Sequence, residues 1–551
     1  VTALPTKNDL WFLPLGGAGE IGMNLNLFGH KGQWLMVDLG ITFNDRLGVE
    51  IITPDPTFIL PYKDNLVGLV LTHAHEDHVG ALPYLWPLLR CPVYATPFTA
   101  AIVRQKIADK PWKDDLKLIE VPLCGTVDIG VFNIEFITLT HSIPEPNALS
   151  IKTDLGTIVH TGDWKIDPMP LVGKATNESR LKELGDEGVL AMVCDSTNVF
   201  TEGESGSEQT VRDELIRLMG HYPKERITVA CFASNVARIE TAALAAKQLG
   251  RRVCLVGRSL YRMVEAAQYA GYLKGLPAFL SEEEAMKLPP DKVLFIVTGS
   301  QGEPRSALAR IAAGQHPVVE LDKRDVVFFS SRVIPGNEKS IGVLQNNLAR
   351  NGAKVITSHE EDIHVSGHPA KGELKKMYDW VRPRIAIPVH GEARHLLEHA
   401  RLAENQGVKE VVITENGSLI QIEAGKSREI DQVQAGRWAL DGNRMIPTVS
   451  PVLKDRNKIS IQGIIVASLS TDSFGQLIRS PQFTILGVTQ PGEETQTLSR
   501  DLLRVVRDTL MDDFKNDEAL LNALKQIIRQ TANQRFGKKP VVEVHLTKGG
   551  N

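Results

Sequence analysis

Apolar and polar positions change their spacing along the chain, and each change marks an element. Leu66-Val67-Gly68-Leu69-Val70-Leu71 is an unbroken apolar run, the pattern of a strand covered on both faces. Upstream, Asn24–Phe28 and Gln33–Asp38 flank Gly29-His30-Lys31-Gly32 and read as a hairpin. From 66 to 200, apolar strand runs alternate with helical stretches such as Phe98–Lys110. Three of these runs stop at a polar residue: Phe136–Thr140 at His141, Thr157–Gly162 at Asp163, and Gly188–Cys194 at Asp195. Residues 200–365 form a second alternating unit. Its strands are expected at Ile227–Phe232, Arg252–Val256, Val293–Val297 and Asp325–Ser330, and its helices at Val236–Leu249 and Leu260–Ala270. The strand Ile385–Val389 then runs into His390-Gly391-Glu392, so the first pattern resumes after an insertion.

Residues 424–455 lack periodicity, and we expect a surface linker there, at 431–455 once the preceding unit has closed. A small α+β unit follows, with strands at Ile459–Leu469, Gln482–Val488 and Val541–Leu546 and helices at Ser499–Phe514 and Glu518–Asn533. It carries no metal or nucleophile constellation, so interaction or self-association is its expected role.

Composition narrows the classes. At 551 residues the chain has room for roughly three or four domain-sized units. Hydrophobic content of 42% and charged content of 23% are those of an ordinary globular protein. The net charge of −4 gives no global basic signature, so a nucleic-acid partner would have to be met by a local groove. Five scattered cysteines (Cys91, Cys124, Cys194, Cys231, Cys254) without a C-x-x-C pair point to a reducing, cytoplasmic compartment. No apolar run has the length of a membrane span, and the N-terminus lacks a signal-peptide core.

The chemistry gathers where the strands stop. Thr72-His73-Ala74-His75-Glu76-Asp77-His78 puts three imidazoles and a carboxylate into an H-x-H-x-D-H stretch. Imidazole nitrogen and carboxylate oxygen are the donors that Zn²⁺ and similar ions prefer. The spacing lets His73 and His75 face one ion while Asp77 and His78 face another. Gly17-Ala18-Gly19-Glu20-Ile21-Gly22 matches a dinucleotide-binding G-x-G-x-x-G, but a hairpin follows it rather than the helix such a site needs. Asp38, closing a buried strand, reads as a carboxylate that orients ligand histidines from behind.

H-x-H-x-D-H after an apolar strand resembles the metallo-β-lactamase superfamily. The later order His141, Asp163, His390 resembles its β-CASP branch, whose members cut nucleic acids. Gly16–Gly22, Phe232-Ala233-Ser234-Asn235, Thr298–Pro304, His364-Val365-Ser366-Gly367-His368 and Pro388–Glu392 are similar to the ribonuclease J family. That resemblance implies an αββα metallo-β-lactamase sandwich from 1–204 and 365–430, a β-CASP α/β unit inserted at 205–364, and a C-terminal domain at 456–551. It implies two Zn²⁺ per chain, with Mn²⁺ as the alternative ion. His73, His75 and His141 would hold one and Asp77, His78 and His390 the other, with Asp163 bridging. Asp77, Asp195 and His368 would be catalytic. His368 would be the proton donor to the leaving 3′ oxygen or a cation on phosphate, and Asp195 would orient it. RNA would lie in the cleft against His364, Val365, Ser366, Gly367, His368, Ser234 and Asn235, with Arg238, Arg258 and Arg305 as further basic candidates. The family degrades RNA from a 5′-monophosphate end in RNA maturation, rRNA processing and mRNA decay, and some members also cut internally. A homodimer or homotetramer through the C-terminal domain, and RNA-degradation partners, are expected with it. Pro369 departs from the small residue the pattern leads us to expect and restricts His368 to extended backbone. Two rival readings are a metallo-β-lactamase-type hydrolase of esters or thioesters, and a non-catalytic RNA-binding scaffold.

Overall fold

The computed structural model describes residues 4–43 and 48–549. The ends of the expected domain ranges, 1–3 and 550–551, lie outside them. The described chain divides into two compact units, one reaching to Trp438 and the other made of Ala439 onward with a short segment before Ile51.

In the first unit an eight-stranded sheet has the order 428–432, 418–421, 10–16, 25–30, 33–37, 66–70, 93–95, 118–120. A seven-stranded sheet has the order 126–129, 132–138, 147–153, 156–160, 191–195, 385–389, 410–411. Alternation along the strands explains how the two stack. Phe136, Ala191, Val193, Ile385 and Ile387 join Phe12, Phe28, Leu35 and Val70 in the core between the sheets. Their neighbours Ile137, Met192, Cys194 and Ala386 face the other way. These meet Leu181, Leu374, Met377, Trp380 and Leu402, carried by helices Glu178–Glu187, Lys371–Val381 and Ala393–Asn405. The hairpin is as expected: strands Leu25–His30 and Gln33–Val37 pair antiparallel, and Lys31 and Gly32 turn at φ 47° and 75°.

The insertion is a five-stranded, all-parallel sheet in the order 252–256, 293–297, 226–230, 325–329, 354–357. Its three inner strands, 226–230, 293–297 and 325–329, are buried on both faces, as unbroken apolar runs require.

The stretch expected as a linker is structured. Arg428–Gln432 pairs antiparallel with Ser418–Gln421 at the edge of the eight-stranded sheet. Strands Arg437–Asp441 and Arg444–Pro447 and helix Pro451–Gln462 follow. Most side chains here are exposed or half-exposed, so no apolar alternation announces the strands. The expected strand at Ile459 therefore begins as a helix, and the strand itself is Ile464–Thr471. It lies between Gln482–Leu486 and Val541–Lys548, and helices Glu493–Leu510 and Asp517–Phe536 complete a separate core. No helix among the described residues is long and apolar enough to cross a membrane.

Candidate metal centre

The strand Leu66–Val70 delivers Thr72–His75 at its end, and a short helix, Glu76–Val79, turns Asp77 and His78 back toward the same point. His141 follows the strand Phe132–Thr138, Asp163 follows Gly156–His160, and His390 follows Ile385–Val389. The structure thereby gathers His73, His75 and His141 into one group of donors, and Asp77, His78, Asp163 and His390 into another. Asp163 lies between the two. Its Oδ2 is 3.2 Å from His78 Nε2 and 3.9 Å from both His73 Nε2 and His141 Nε2, and its Oδ1 is 3.6 Å from His390 Nδ1.

The donor geometry fits a metal. His75 Nδ1 lies 3.1 Å from His73 Nε2 and 3.0 Å from His141 Nε2. Nitrogens on a tetrahedral ion at about 2.0–2.1 Å would be roughly 3.3 Å apart. Burial and mutual repulsion hold His73 and His141 well below the ordinary imidazole range, and burial pushes His75 down to about 4. These three imidazoles are thus held neutral, as ligation requires. Burial opposes charge on His78 too, but the carboxylates of Asp163, Asp77 and Asp38 outweigh it and raise His78 well above the usual value.

A shell of fixed groups sets these rings. Asp38 accepts from His78 Nδ1 (2.7 Å), from Thr72 N (2.8 Å) and from Thr72 Oγ1 (2.8 Å). The false dinucleotide motif also finds its use here. His390 stands at φ 52°, an unfavourable conformation for a non-glycine residue, and donates its backbone N–H to Gly17 O. Ala18–Gly19 pairs with Gly391–Glu392 alongside. Asn24, which the sequence did not single out, lies 3.1 Å from His390 Nδ1 through its Oδ1 and 3.1 Å from His78 Nε2 through its Nδ2. A β-carbon at Gly17 would lie 2.2 Å from Asn24 Oδ1, so the glycine is required by close approach.

His368 stands beside the cluster. Its Nδ1 is 2.8 Å from Asp195 Oδ2, and its ring stacks on that of His390 with centroids 5.7 Å apart. Burial opposes its charge, yet Asp195 raises it to about 9, so it is an imidazolium at neutral pH. Its loop is threaded tightly through the site: His141 Nδ1 hydrogen-bonds Gly367 O, and a β-carbon at Gly367 would lie 2.8 Å from the His141 ring. Ser366 Oγ accepts from Asn198 Nδ2 at 2.6 Å and from His368 N at 3.2 Å.

From the insertion, Ser234 reaches His75 Nε2 at 3.1 Å. Its neighbour Asn235 is buried, caps helix Val236–Gln248 and donates to Glu208, so its side chain is committed inside the protein. Val365 packs beside Gly206. His364 is held near pKa 3 by burial, with Arg238 adding to the effect.

Arg238 is not a cleft contact. Its side chain is fully buried, paired with Glu208 at 2.9 and 3.1 Å, and donates to Ser330 O and Ile363 O. It locks the inserted sheet to the loop leading to His364. Arg258 and Arg305 are exposed.

The comparisons with known proteins agree with this architecture. Residues 23–175 match the metallo-beta-lactamase superfamily, 224–348 the ribonuclease J beta-CASP domain, 354–414 a Zn-dependent metallo-hydrolase RNA specificity domain, and 451–548 the ribonuclease J C-terminal domain. Ribonuclease J of Sinorhizobium meliloti is 42% identical over 98% of this chain and 97% of its own. That of Corynebacterium glutamicum is 36% identical over 97% of this chain and 75% of its own. The ribonuclease J of Helicobacter pylori strain 26695 is 32% identical over 98% of this chain and 80% of its own. A crystal structure of an Enterococcus faecalis protein of unknown function shares the fold, with a TM-score of 0.53 at 15% identity over 75% of this chain and all of its own. With relatives this similar along nearly its whole length, the chain belongs to the ribonuclease J family.

Proposed function

We propose that this chain hydrolyses phosphodiester bonds of RNA with two divalent ions, Zn²⁺ first and Mn²⁺ as the alternative, and that it works 5′→3′ from a 5′-monophosphate end with internal cleavage as a second mode. In this reading the metallo-β-lactamase part is 1–204 with 365–430, the insertion 205–364 and the C-terminal domain 456–551, and the enzyme is cytoplasmic. The observation that carries it is the pair of donor groups meeting at Asp163, with His368, held by Asp195, beside them.

His73, His75 and His141 would hold one ion and Asp77, His78 and His390 the other, with Asp163 shared. Ions held there would supply Lewis acidity, lowering the pKa of water and neutralising charge that builds on the phosphoryl oxygens. The protein's own part is proton supply and orientation. His368 gives its proton to the departing 3′ oxygen, and Asp195, hydrogen-bonded to the opposite ring nitrogen, holds the ring in place and keeps it charged until then. Asp38 and Asn24 hold His78 and His390 in fixed orientations, so the donors need little rearrangement. Ser234, Ser366 and the backbone of Gly367 offer donors of the type that bind phosphate oxygens.

The test is a time course on one oligoribonucleotide carrying either a 5′ monophosphate or a 5′ triphosphate, repeated with Ser366→Ala. Faster loss of the monophosphorylated RNA, with Ser366→Ala narrowing the difference, is the expected outcome. Equal rates with an internal ladder from both would replace the exonuclease reading with an endonuclease.

A further inference from the structure

Glu145 has no part in the chemistry above, yet it is placed as few glutamates are. It is 4% exposed and stands at φ 56°, in the left-handed region that a side chain of this size rarely adopts. Such a conformation persists only where surrounding contacts over-determine it. Its carboxylate accepts from Phe98 N at 2.8 Å, at the start of helix Pro97–Ile107, and from Tyr272 OH at 3.1 Å. Phe98 belongs to the metal-bearing part of the chain and Tyr272 to the insertion. Burial, and Glu145 itself, keep the Tyr272 hydroxyl above its ordinary value, so it remains a donor.

The backbone of Glu145 faces the metal donors. Its carbonyl accepts from Asn147 Nδ2 at 2.7 Å, and Asn147 N donates to Thr72 O at 3.2 Å. Thr72 precedes His73, and its hydroxyl is 3.0 Å from His73 Nδ1. His141 opens the same loop. A small cavity, with space for about 30 Å³ of water, is lined by His141, Ile143, Glu145 and Tyr272, so the loop and the insertion meet beside the first donor group. One glutamate thus ties the insertion, a helix start and the segments bearing His73 and His141 into a single chain of contacts.

We propose that Glu145 is a positioning residue through which Tyr272 of the insertion sets the His73–His75–His141 donor group. The loop keeps its strained turn, and His141 its place, only while the insertion is seated. This rests on reading those histidines as a metal site.

The experiment compares Tyr272→Phe, Glu145→Ala, Glu145→Gln and the double variant Glu145→Ala/Tyr272→Phe in the full chain loaded with Zn²⁺. Metal release to a coloured chelator is followed first, then kcat and KM on a monophosphorylated oligoribonucleotide. Loss of one hydrogen bond to a charged group should speed release of one metal equivalent about tenfold. Tyr272→Phe and Glu145→Ala should both show this, with kcat lowered and KM unchanged. The double variant should be no worse than Glu145→Ala, and Glu145→Gln, whose one oxygen can still accept from Phe98 N while its amide donates to the Tyr272 hydroxyl oxygen, should stay closer to wild type than Glu145→Ala. If Glu145→Ala does not fold, Tyr272→Phe and Glu145→Gln carry the test. Wild-type release from a folded Tyr272→Phe protein would overturn the proposal, as would additive losses in the double variant or an effect on KM alone. A wild-type protein that binds no Zn²⁺ would overturn the site reading and the proposal together, whereas wild-type Zn²⁺ release with no RNA cleavage would count only against the ribonuclease reading.

Discussion

Replacing Arg238 with methionine separates two roles for one residue, because an RNA contact and a buried ion pair fail differently. The Arg238 side chain is 0% exposed and the Glu208 side chain 5%. Its guanidinium makes two bonds to Glu208 and others to Ser330 O and Ile363 O. Arg238→Met leaves Glu208 buried without its guanidinium, with Asn235 still donating to it, and breaking a buried ion pair from one side costs about 3–5 kcal/mol. For a unit of 150–250 residues that lowers the melting temperature by on the order of 10 °C. Arg238→Met/Glu208→Leu removes both charges and should recover much of the loss, since an apolar pair of similar volume is often neutral or better. The pH dependence supplies an independent check. Burial works against the Glu208 carboxylate, but Arg238 outweighs it and holds Glu208 below the ordinary glutamate value of 4.5. A depressed carboxylate stabilises the fold above its unfolded value, and that contribution disappears as pH falls through the lower folded value. Wild type should therefore lose stability below about pH 4.5 through this group, and the double variant should lack that component. Thermal unfolding by circular dichroism across pH, beside the salt dependence of RNA binding, is the assay. A variant that melts with wild type, while its salt slope falls by about 1, would make Arg238 an RNA contact and refute the reasoning.

Asp163→Ala should lose at least one metal equivalent by elemental analysis, because its oxygens adjoin nitrogens of both donor groups; unchanged content in a folded variant would remove it from the site. With Asp195 intact, kcat should fall as pH rises through about 9, where His368 loses its proton. In Asp195→Asn the same fall should come nearer the ordinary imidazole value of 6.5, and an unmoved limb would mean that another group supplies the proton. Deleting residues from about 450 onward should weaken any self-association, measured by light scattering, more than it lowers metal content, since that segment has its own core and none of the candidate donors.

What could be read from the sequence followed from where the chemistry sits. The candidate donors follow apolar strands, so each is legible locally, and the hairpin after Gly22 is enough to set nucleotide binding aside. Asn24, Glu145 and Glu208 carried no comparable signal. Each acts on residues remote in sequence, and a lone polar residue in a loop or at a helix start looks like solvated surface until the fold buries it. Arg238 was misjudged for the same reason: a charge on a helix is ordinarily exposed, and its partner lies outside any local pattern. The expected linker is the opposite case: Arg428–Gln432 is an edge strand exposed or half-buried at every position, so it shows neither an unbroken apolar run nor an alternation.

The placement of His390 has a consequence for synthesis on the ribosome. Strand Leu10–Gly16 is made long before one of its neighbours, Ser418–Gln421, and the second donor group waits for residue 390. At about 5–20 residues per second, the nascent chain spends roughly 20–80 s with that sheet edge unpaired and the donor set incomplete. Chains stalled short of residue 390 should therefore hold less metal than released ones. A nuclease assembled this way should stay inert toward the message that encodes it at least until residue 390 has been made.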